Sequence, residues 1–150
     1  MRFEISKLKR HDIDAATKLY IEVFAQQPWC ENNKYDDIRH YIERLNQMNT
    51  NHCYLYKMDG QIIAIALGFV KPWHKGLEYQ LDNFFVMSVY QKKGYGADFL
   101  KAIKMDMKKI GVGNIILETN KDTPAEYFYL KQDFFPETNT RTLRLVCAVE

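Results

Sequence analysis

The sequence predicts a mixed α/β domain with the element order βααβββαβαββ. Three observations carry that reading. Two stretches in the first third repeat their apolar residues at helical spacing, and the period then drops to two around an Asp59-Gly60 turn. Further on, an apolar strand runs through the glycine-containing turn Gln91–Gly96 into a long helical pattern. The length of 150 residues, 47% of them hydrophobic, supports one domain over residues 1–150 with its own core.

Residues Arg2 to Leu8 alternate, Phe3 and Ile5 against Glu4 and Ser6, and read as the first strand. A helix follows, with Asp12 and Asp14 near its positive N-terminal end and Ile13, Ala16, Tyr20, Val23 and Phe24 on one face. Pro28-Trp29 breaks the pattern and opens a loop through Asn32-Asn33. The second helix places Ile38, Tyr41, Ile42, Leu45 and Met48 at i, i+3, i+4, i+7 and i+10. His52 to Met58 then reads as a strand, Asp59-Gly60 as a two-residue hairpin turn and Gln61 to Val70 as its partner. That partner is apolar on both faces and is expected in the middle of the sheet.

Lys71 to Gly76 is expected as a loop and Glu78 to Met87 as the next strand. Gly94 to Ile110 is a long helix with Tyr95, Phe99, Ile103 and Ile110 inward. Ile115 to Glu118 is expected as a short buried strand and Pro124 to Gln132 as a short helix. Phe134-Phe135 and Thr140 to Val149 are expected to supply the two closing strands.

Composition excludes several classes of function. Twenty-one Lys and Arg against nineteen Asp and Glu leave a formal charge of +2, too small to support a general nucleic-acid or anionic-membrane binder. Met1 to Lys7 is charged from its second residue and has no apolar signal core. The longest apolar run, Ile62 to Val70, has nine residues, whereas a membrane helix needs about 20. Cys30, Cys53 and Cys147 match neither a disulfide framework nor a zinc pattern, and His11, His40, His52 and His74 show no paired metal spacing. The expectation is a cytoplasmic, metal-free protein with no nucleic-acid or membrane partner. Ten Tyr, nine Phe and two Trp exceed what a core alone needs, so some are expected to line a pocket.

The most informative segment is Gln91-Lys92-Lys93-Gly94-Tyr95-Gly96. A turn of this kind points several backbone N–H groups at the positive end of a helix, which suits a phosphate. No Walker A loop is present, and a dinucleotide fingerprint would need Gly where Phe99 stands. On these residues alone, a phosphate cradle and a plain helix-start turn both remain open.

In its surroundings the turn resembles the acyl-CoA signature of the Gcn5-related N-acetyltransferases: Arg or Gln, two residues, Gly, one residue, then Gly or Ala. Here that is Gln91, Gly94 and Gly96, preceded by Phe84-Phe85-Val86 and Tyr90. Downstream, Ala125-Glu126-Tyr127-Phe128-Tyr129-Leu130-Lys131-Gln132-Asp133-Phe134 is similar to the family's AxxFYxKxGF motif. The element order is the family's as well, so the resemblance covers nearly the whole chain.

The resemblance implies acetyl-CoA as co-substrate and a sheet splayed in its middle. Gln91, Lys92, Lys93, Gly94, Tyr95 and Gly96 would hold the pyrophosphate, and the backbone of Phe84, Phe85 and Val86 would pair with the pantetheine arm. Asn120 or Asp122 would border the same arm. Asp122 stands where the family often has Asn, and Asp133 where it usually has Gly. Asp tolerates the left-handed backbone such a turn needs.

Acetyl transfer to an amine needs a proton acceptor, stabilisation of an oxyanion and protonation of the leaving thiolate. Asp82 is the candidate base. On an unbroken two-residue period Gln80, Asp82, Phe84 and Val86 share a face, and an Asp among Leu81, Phe84 and Phe85 needs a reason. An ion pair or a turn-facing structural Asp is the competing reading, and Glu78 on the same face is the reserve base. Tyr129 matches the family's tyrosine near the CoA sulfur and is the candidate acid; ordinary packing is its alternative. No Cys lies near either motif, which favours direct transfer over a covalent acyl-enzyme.

Trp29, Tyr35, Trp73 and Tyr79, with Glu78, fall in segments that border the family's acceptor groove. They would hold an amine by stacking and cation–π contact, or else plug a loop or meet a second copy. Lys101, Lys104 and Lys108 read as a solvated helix face. The expected acceptor is a small-molecule amine such as an aminoglycoside or polyamine. A protein or peptide N-acetyltransferase and a non-catalytic acyl-CoA-binding regulator are the alternatives. Members of the family often dimerise, which leaves a homodimer as an option that no sequence feature decides.

Overall fold

Apolar side chains that recur every second residue build a five-stranded sheet. The computed structural model describes residues 1–138 and 143–149. Within residues 1–118 the strands are β1 (Phe3–Lys7), β2 (Tyr54–Met58), β3 (Gln61–Trp73), β4 (Gly76–Val86) and β5 (Val112–Ile116), in that order across the sheet. β1 to β4 are antiparallel neighbours, and β5 lies parallel to β4. A parallel pair requires a crossover, which is α3 (Tyr95–Lys109). α1 (Ile13–Phe24) and α2 (Tyr35–Asn46) precede β2.

β3 is the middle strand, and Ile63 to Leu67 are wholly buried on both of its faces. Asp59 and Gly60, both at positive φ (49° and 83°), make the tight hairpin that fixes its register with β2. On one face Ile13, Ala16, Val23 and Phe24 of α1 and Ile38, Ile42 and Leu45 of α2 pack on Leu55, Ile65, Leu67 and Phe85. On the other face Phe99 of α3 meets Tyr56 at 5.6 Å and stacks on Phe84 at 5.5 Å, with Leu100, Ile103 and Met107 buried beside it. Each such fully buried side chain contributes about 1.5–3 kcal/mol.

The structure differs from the sequence reading at the margins of this core. The expected loop Lys71–Gly76 is mostly strand: Lys71 pairs with Glu78 and Pro72 with Leu77, leaving only His74-Lys75 as the turn. This hairpin end projects past the core, so its residues carry no burial pattern to read. Ile110 is exposed rather than inward because α3 ends before it, and Met48 likewise lies past the end of α2. β5 begins at Val112 and is only half-buried; among the described residues it pairs with β4 alone, at the edge of the sheet.

Residues 119–150 hold α4 (Pro124–Lys131). The two expected closing strands do not form among the described residues; Thr140 to Thr142 of the second lie outside them. Phe135 and Leu143, Leu145, Val146 and Val149 are 75–100% exposed. Alternation without a ladder partner gathers none of the burial energy that makes a strand.

Candidate active site

The register of β3 and β4 breaks at one place. Leu67 pairs with Asn83 but Gly68 pairs with Leu81, so Asp82 is an extra residue in β4, a β-bulge. Gly68 makes this close approach possible: a Cβ there would fall 2.5 Å from the Gln80 carbonyl oxygen and 2.7 Å from the Tyr79 ring. The bulge reverses the faces on either side of it. Tyr79 packs edge-on against Tyr54, and Phe84 lies on Phe99 of α3. Asn83 and Phe85 instead face α2 and α1.

Asp82 therefore does not share a side with Phe84, as the unbroken period implies. Its carboxylate is exposed and accepts a hydrogen bond from the Tyr41 hydroxyl of α2. Asn83 Nδ2 donates to the same hydroxyl oxygen at 2.9 Å. Burial, and next the bond to Asp82, push the Tyr41 hydroxyl far above the ordinary tyrosine range. It stays protonated and remains a donor to Asp82 throughout the neutral range. Among the described residues no ion pair holds Asp82, so of the two structural alternatives the ion-paired one is not what the structure shows. Tyr41 is a residue the sequence reading missed: helical spacing turns its ring inward but is silent about its hydroxyl. The isolated Gly68 inside a strand pattern was the signal for the bulge.

Beyond Asp82 the sheet opens. β5 pairs with β4 only from Leu77 to Gln80, so Leu81 to Val86 have no strand on that edge within residues 1–118. A vacant strand edge carries backbone donors and acceptors for an extended ligand. Its far end runs through a 3₁₀ turn, Ser88–Tyr90, into Gln91–Gly96. Gln91 Nε2 donates to the Val86 carbonyl at 2.9 Å and braces the turn against the strand.

Lys92 (φ 59°) and Gly94 (φ 89°) both adopt left-handed backbone, and Gly94 caps α3 without a side chain. The first N–H groups of α3 are thus left for an incoming anion at the positive end of the helix. Lys92 and Lys93 are exposed beside them. The residues present suit a diphosphate followed by an extended amide-bearing arm.

The second motif, Ala125 to Phe134, lies within residues 119–150. Thr123 caps α4 by accepting from the Glu126 N–H at 3.3 Å, with Pro124 at the first helical position. Asp122 and Asp133 sit at φ 60° and 68°, so Asp does occupy the left-handed turn that follows the helix. The Phe134 N–H returns to the Tyr129 carbonyl at 3.1 Å, and the Tyr129 ring meets Phe128 and Phe134 at 5.3 and 5.4 Å. Burial raises the Tyr129 hydroxyl above the usual tyrosine range, so it is held as the protonated donor. Asn120 accepts from the Thr123 hydroxyl at 2.7 Å through its backbone carbonyl, which leaves its side chain outside that bond.

The aromatic residues assigned to the acceptor separate into different environments. Tyr79 is wholly buried and donates to the His52 carbonyl at 2.6 Å, so it is a packing residue and not an acceptor contact. Tyr35 donates to Asp14 at 2.5 Å, where Arg39 also binds at 3.0 Å, and ties α2 to α1. Trp29 is half-buried against Phe24 at 5.0 Å, next to the cis Gln27-Pro28 bond. Trp73 is exposed at the end of the β3–β4 hairpin under the Lys71 ammonium, and Glu78 is half-buried on β4.

The family model described as "Acetyltransferase (GNAT) family" matches residues 15–134, and the chain belongs to that family of acetyltransferases. No curated protein matches the sequence. The fold is similar to that of a possible acetyltransferase from Clostridium difficile 630, at 15% identity and a TM-score of 0.80 over 98% of this chain and 100% of that one. It is also similar to the aminoglycoside N-acetyltransferase AAC(6')-Iy in complex with CoA, at 14% identity and 0.76 over 97% and 96%. A ribosomal-protein-alanine N-acetyltransferase from Brucella melitensis biovar Abortus 2308 gives 15% and 0.74 over 97% and 100%. Among the described residues no helix is long and apolar enough to cross a membrane, and no group of His, Cys, Asp and Glu could hold a metal ion.

Proposed function

We propose that this acetyltransferase moves an acetyl group directly from acetyl-CoA to the primary amine of a small molecule, with an aminoglycoside or polyamine as the acceptor class. The observation that carries the proposal is the exposed Asp82 carboxylate, set by the bulge at the start of the β4 edge that has no strand beside it within residues 1–118 and leads to the Gln91–Gly96 turn. Bound acetyl-CoA supplies an activated carbonyl and a thiol leaving group. The first-turn N–H groups of Tyr95 and Gly96, with Lys92 and Lys93, hold the anionic end of that co-substrate. The backbone of Phe84 to Val86 aligns its arm as an added strand, and Asn120 or Asp122 borders it.

Asp82 accepts a proton from the ammonium of the acceptor, directly or through one water, and Tyr41 keeps the carboxylate aimed. An amine of ordinary pKa near ~10.4 is protonated at neutral pH, so this step is needed. Tyr129 donates the proton that the leaving sulfur requires. Trp29, Tyr35, Trp73 and Glu78 are proposed to bound the acceptor. The neighbours include both an aminoglycoside and a ribosomal-protein-alanine acetyltransferase, so the test spans both acceptor classes. Release of free CoA thiol is measured with aminoglycosides, polyamines, amino acids and peptides. Turnover with a small amine is expected. Turnover with peptides alone would replace the acceptor class, and binding of acetyl-CoA without turnover on any amine would reduce the protein to a regulator.

The cofactor half is tested separately by Gly96→Val. Gly96 is the second residue of α3, and Val costs a helix no more than Gly does. The variant is expected to fold while its branched side chain shields the N–H groups that meet phosphate. Acetyl-CoA at 100-fold over Kd adds about 2.7 kcal/mol to the wild type, roughly 5–10 °C in Tm for a chain of this size. Gly96→Val is expected to lose most of that shift. An equal shift in both proteins would place the diphosphate elsewhere.

A further inference from the structure

On the α3 face of β1 and β2, four polar side chains meet. Lys7 ends β1, His52 precedes β2, Tyr54 opens β2, and Asp106 comes from α3. Lys7 Nζ lies 2.5 Å from His52 Nδ1, 3.8 Å from Asp106 Oδ2 and 4.2 Å from the centre of the Tyr54 ring. The Tyr54 hydroxyl donates to the same Asp106 oxygen. The Tyr79 hydroxyl fastens the His52 carbonyl at 2.6 Å, so the imidazole is held in place from the backbone. The Lys7 side chain is still 45% exposed.

We propose that Lys7 is a site of self-acetylation by acetyl-CoA, with the His52 imidazole as proton acceptor and Asp106 and Tyr54 as the groups that hold the pair. Lys7 can donate to Nδ1 only if that nitrogen carries a lone pair, which puts the ring proton on Nε2. Burial lowers the His52 pKa first, and Lys7 lowers it further, with Asp106 opposing. Burial likewise lowers Lys7, against the opposing pull of Asp106 and Cys53. One cation is thus favoured over two in this contact, and the amine is free of its proton more often than a fully solvated lysine.

The chemistry balances with acetyl-CoA as the only co-reactant. Lys7 passes one proton to His52 Nδ1, and its nitrogen attacks the thioester carbonyl carbon. An N–C bond forms and the C–S bond breaks. The second proton of the attacking nitrogen goes to the departing thiolate, giving Nε-acetyl-Lys7 and free CoA thiol, and His52 returns its proton to solvent. The acetylated side chain carries no charge and loses both its ion pair with Asp106 and its cation–π contact with Tyr54.

The full-length protein is incubated with acetyl-CoA and no amine acceptor, and site occupancy is followed by peptide mass spectrometry. Lys57, whose ammonium is 3.5 Å from Asp12 Oδ1, is the internal reference. Lys7 is expected to acetylate several-fold faster, because His52 Nδ1 stands 2.5 Å away to take the proton that the attacking amine must lose, whereas Lys57 faces only a carboxylate. His52→Gln keeps a hydrogen-bond acceptor but takes up no proton, and is expected to slow Lys7 acetylation several-fold with Lys57 unchanged. Acetyl phosphate is expected to give the same ranking, because the preference belongs to the side-chain cluster and not to CoA binding. Equal rates at Lys7 and Lys57, an unchanged Lys7 rate in His52→Gln, or a preference confined to acetyl-CoA would each overturn the proposal.

Discussion

Tyr129→Phe is expected to lower turnover by roughly 10²–10⁴ while acetyl-CoA still binds, the range that loss of a positioned acid commonly costs. The substitution removes one hydroxyl and keeps the ring, so the contacts with Phe128 and Phe134 persist. The Thr123 cap and the return bond from Phe134 involve backbone and a neighbouring side chain, and they persist too. A fall in activity therefore reports chemistry and not a damaged helix, and an unchanged Tm checks this. Because burial raises the hydroxyl pKa above ~10, the acid form survives to higher pH than in a solvated tyrosine. The wild type should show no loss of activity from Tyr129 ionisation in the neutral range. Single-turnover rates distinguish the acid step from product release. An unchanged single-turnover rate would leave Tyr129 as packing alone.

The residues that carried the fold in the sequence were those whose burial follows a simple period. Ile38, Ile42 and Leu45 mark one face of α2, and the two-sided run from Ile63 to Leu67 marks the sheet centre; all are buried. Asp59-Gly60 and Gly94 were legible because positive φ restricts which residues can stand there. The site was less legible because it depends on where the period fails. An unbroken pleat assigns Asp82 to the side of Phe84, whereas one extra residue opposite Gly68 turns it toward Tyr41. Periodicity also treats a tyrosine as a ring. It cannot separate Tyr79, sealed inside with its hydroxyl on a carbonyl, from Tyr41, whose hydroxyl reaches the candidate base. At the C-terminus the opposite error arose: Leu143 and Leu145 alternate as a strand would, but an alternating segment needs a neighbouring edge to become one.

Asp82→Asn is expected to reduce kcat/KM by about 10²-fold near neutral pH, in a protein that melts normally and binds acetyl-CoA. Asn keeps the size of the side chain and an oxygen that can accept from Tyr41, but it has almost no basicity. Asp82 is exposed at its bulge and its partner is an uncharged hydroxyl, so the change breaks no ion pair on which stability depends. The pH dependence gives the discriminating result. As pH rises toward the acceptor's own pKa, free amine becomes abundant and the need for a protein base fades. The defect of Asp82→Asn is therefore expected to shrink with rising pH while wild-type kcat/KM climbs to a plateau. Tyr41→Phe leaves the base in place and removes the bond that aims it, so its loss should be smaller than that of Asp82→Asn and should follow the same pH trend. If Asp82 were purely structural, both variants would lose Tm and activity would track the folded fraction at every pH. A small, constant defect in a stable Asp82→Asn protein would transfer the role to Glu78 or to bulk water.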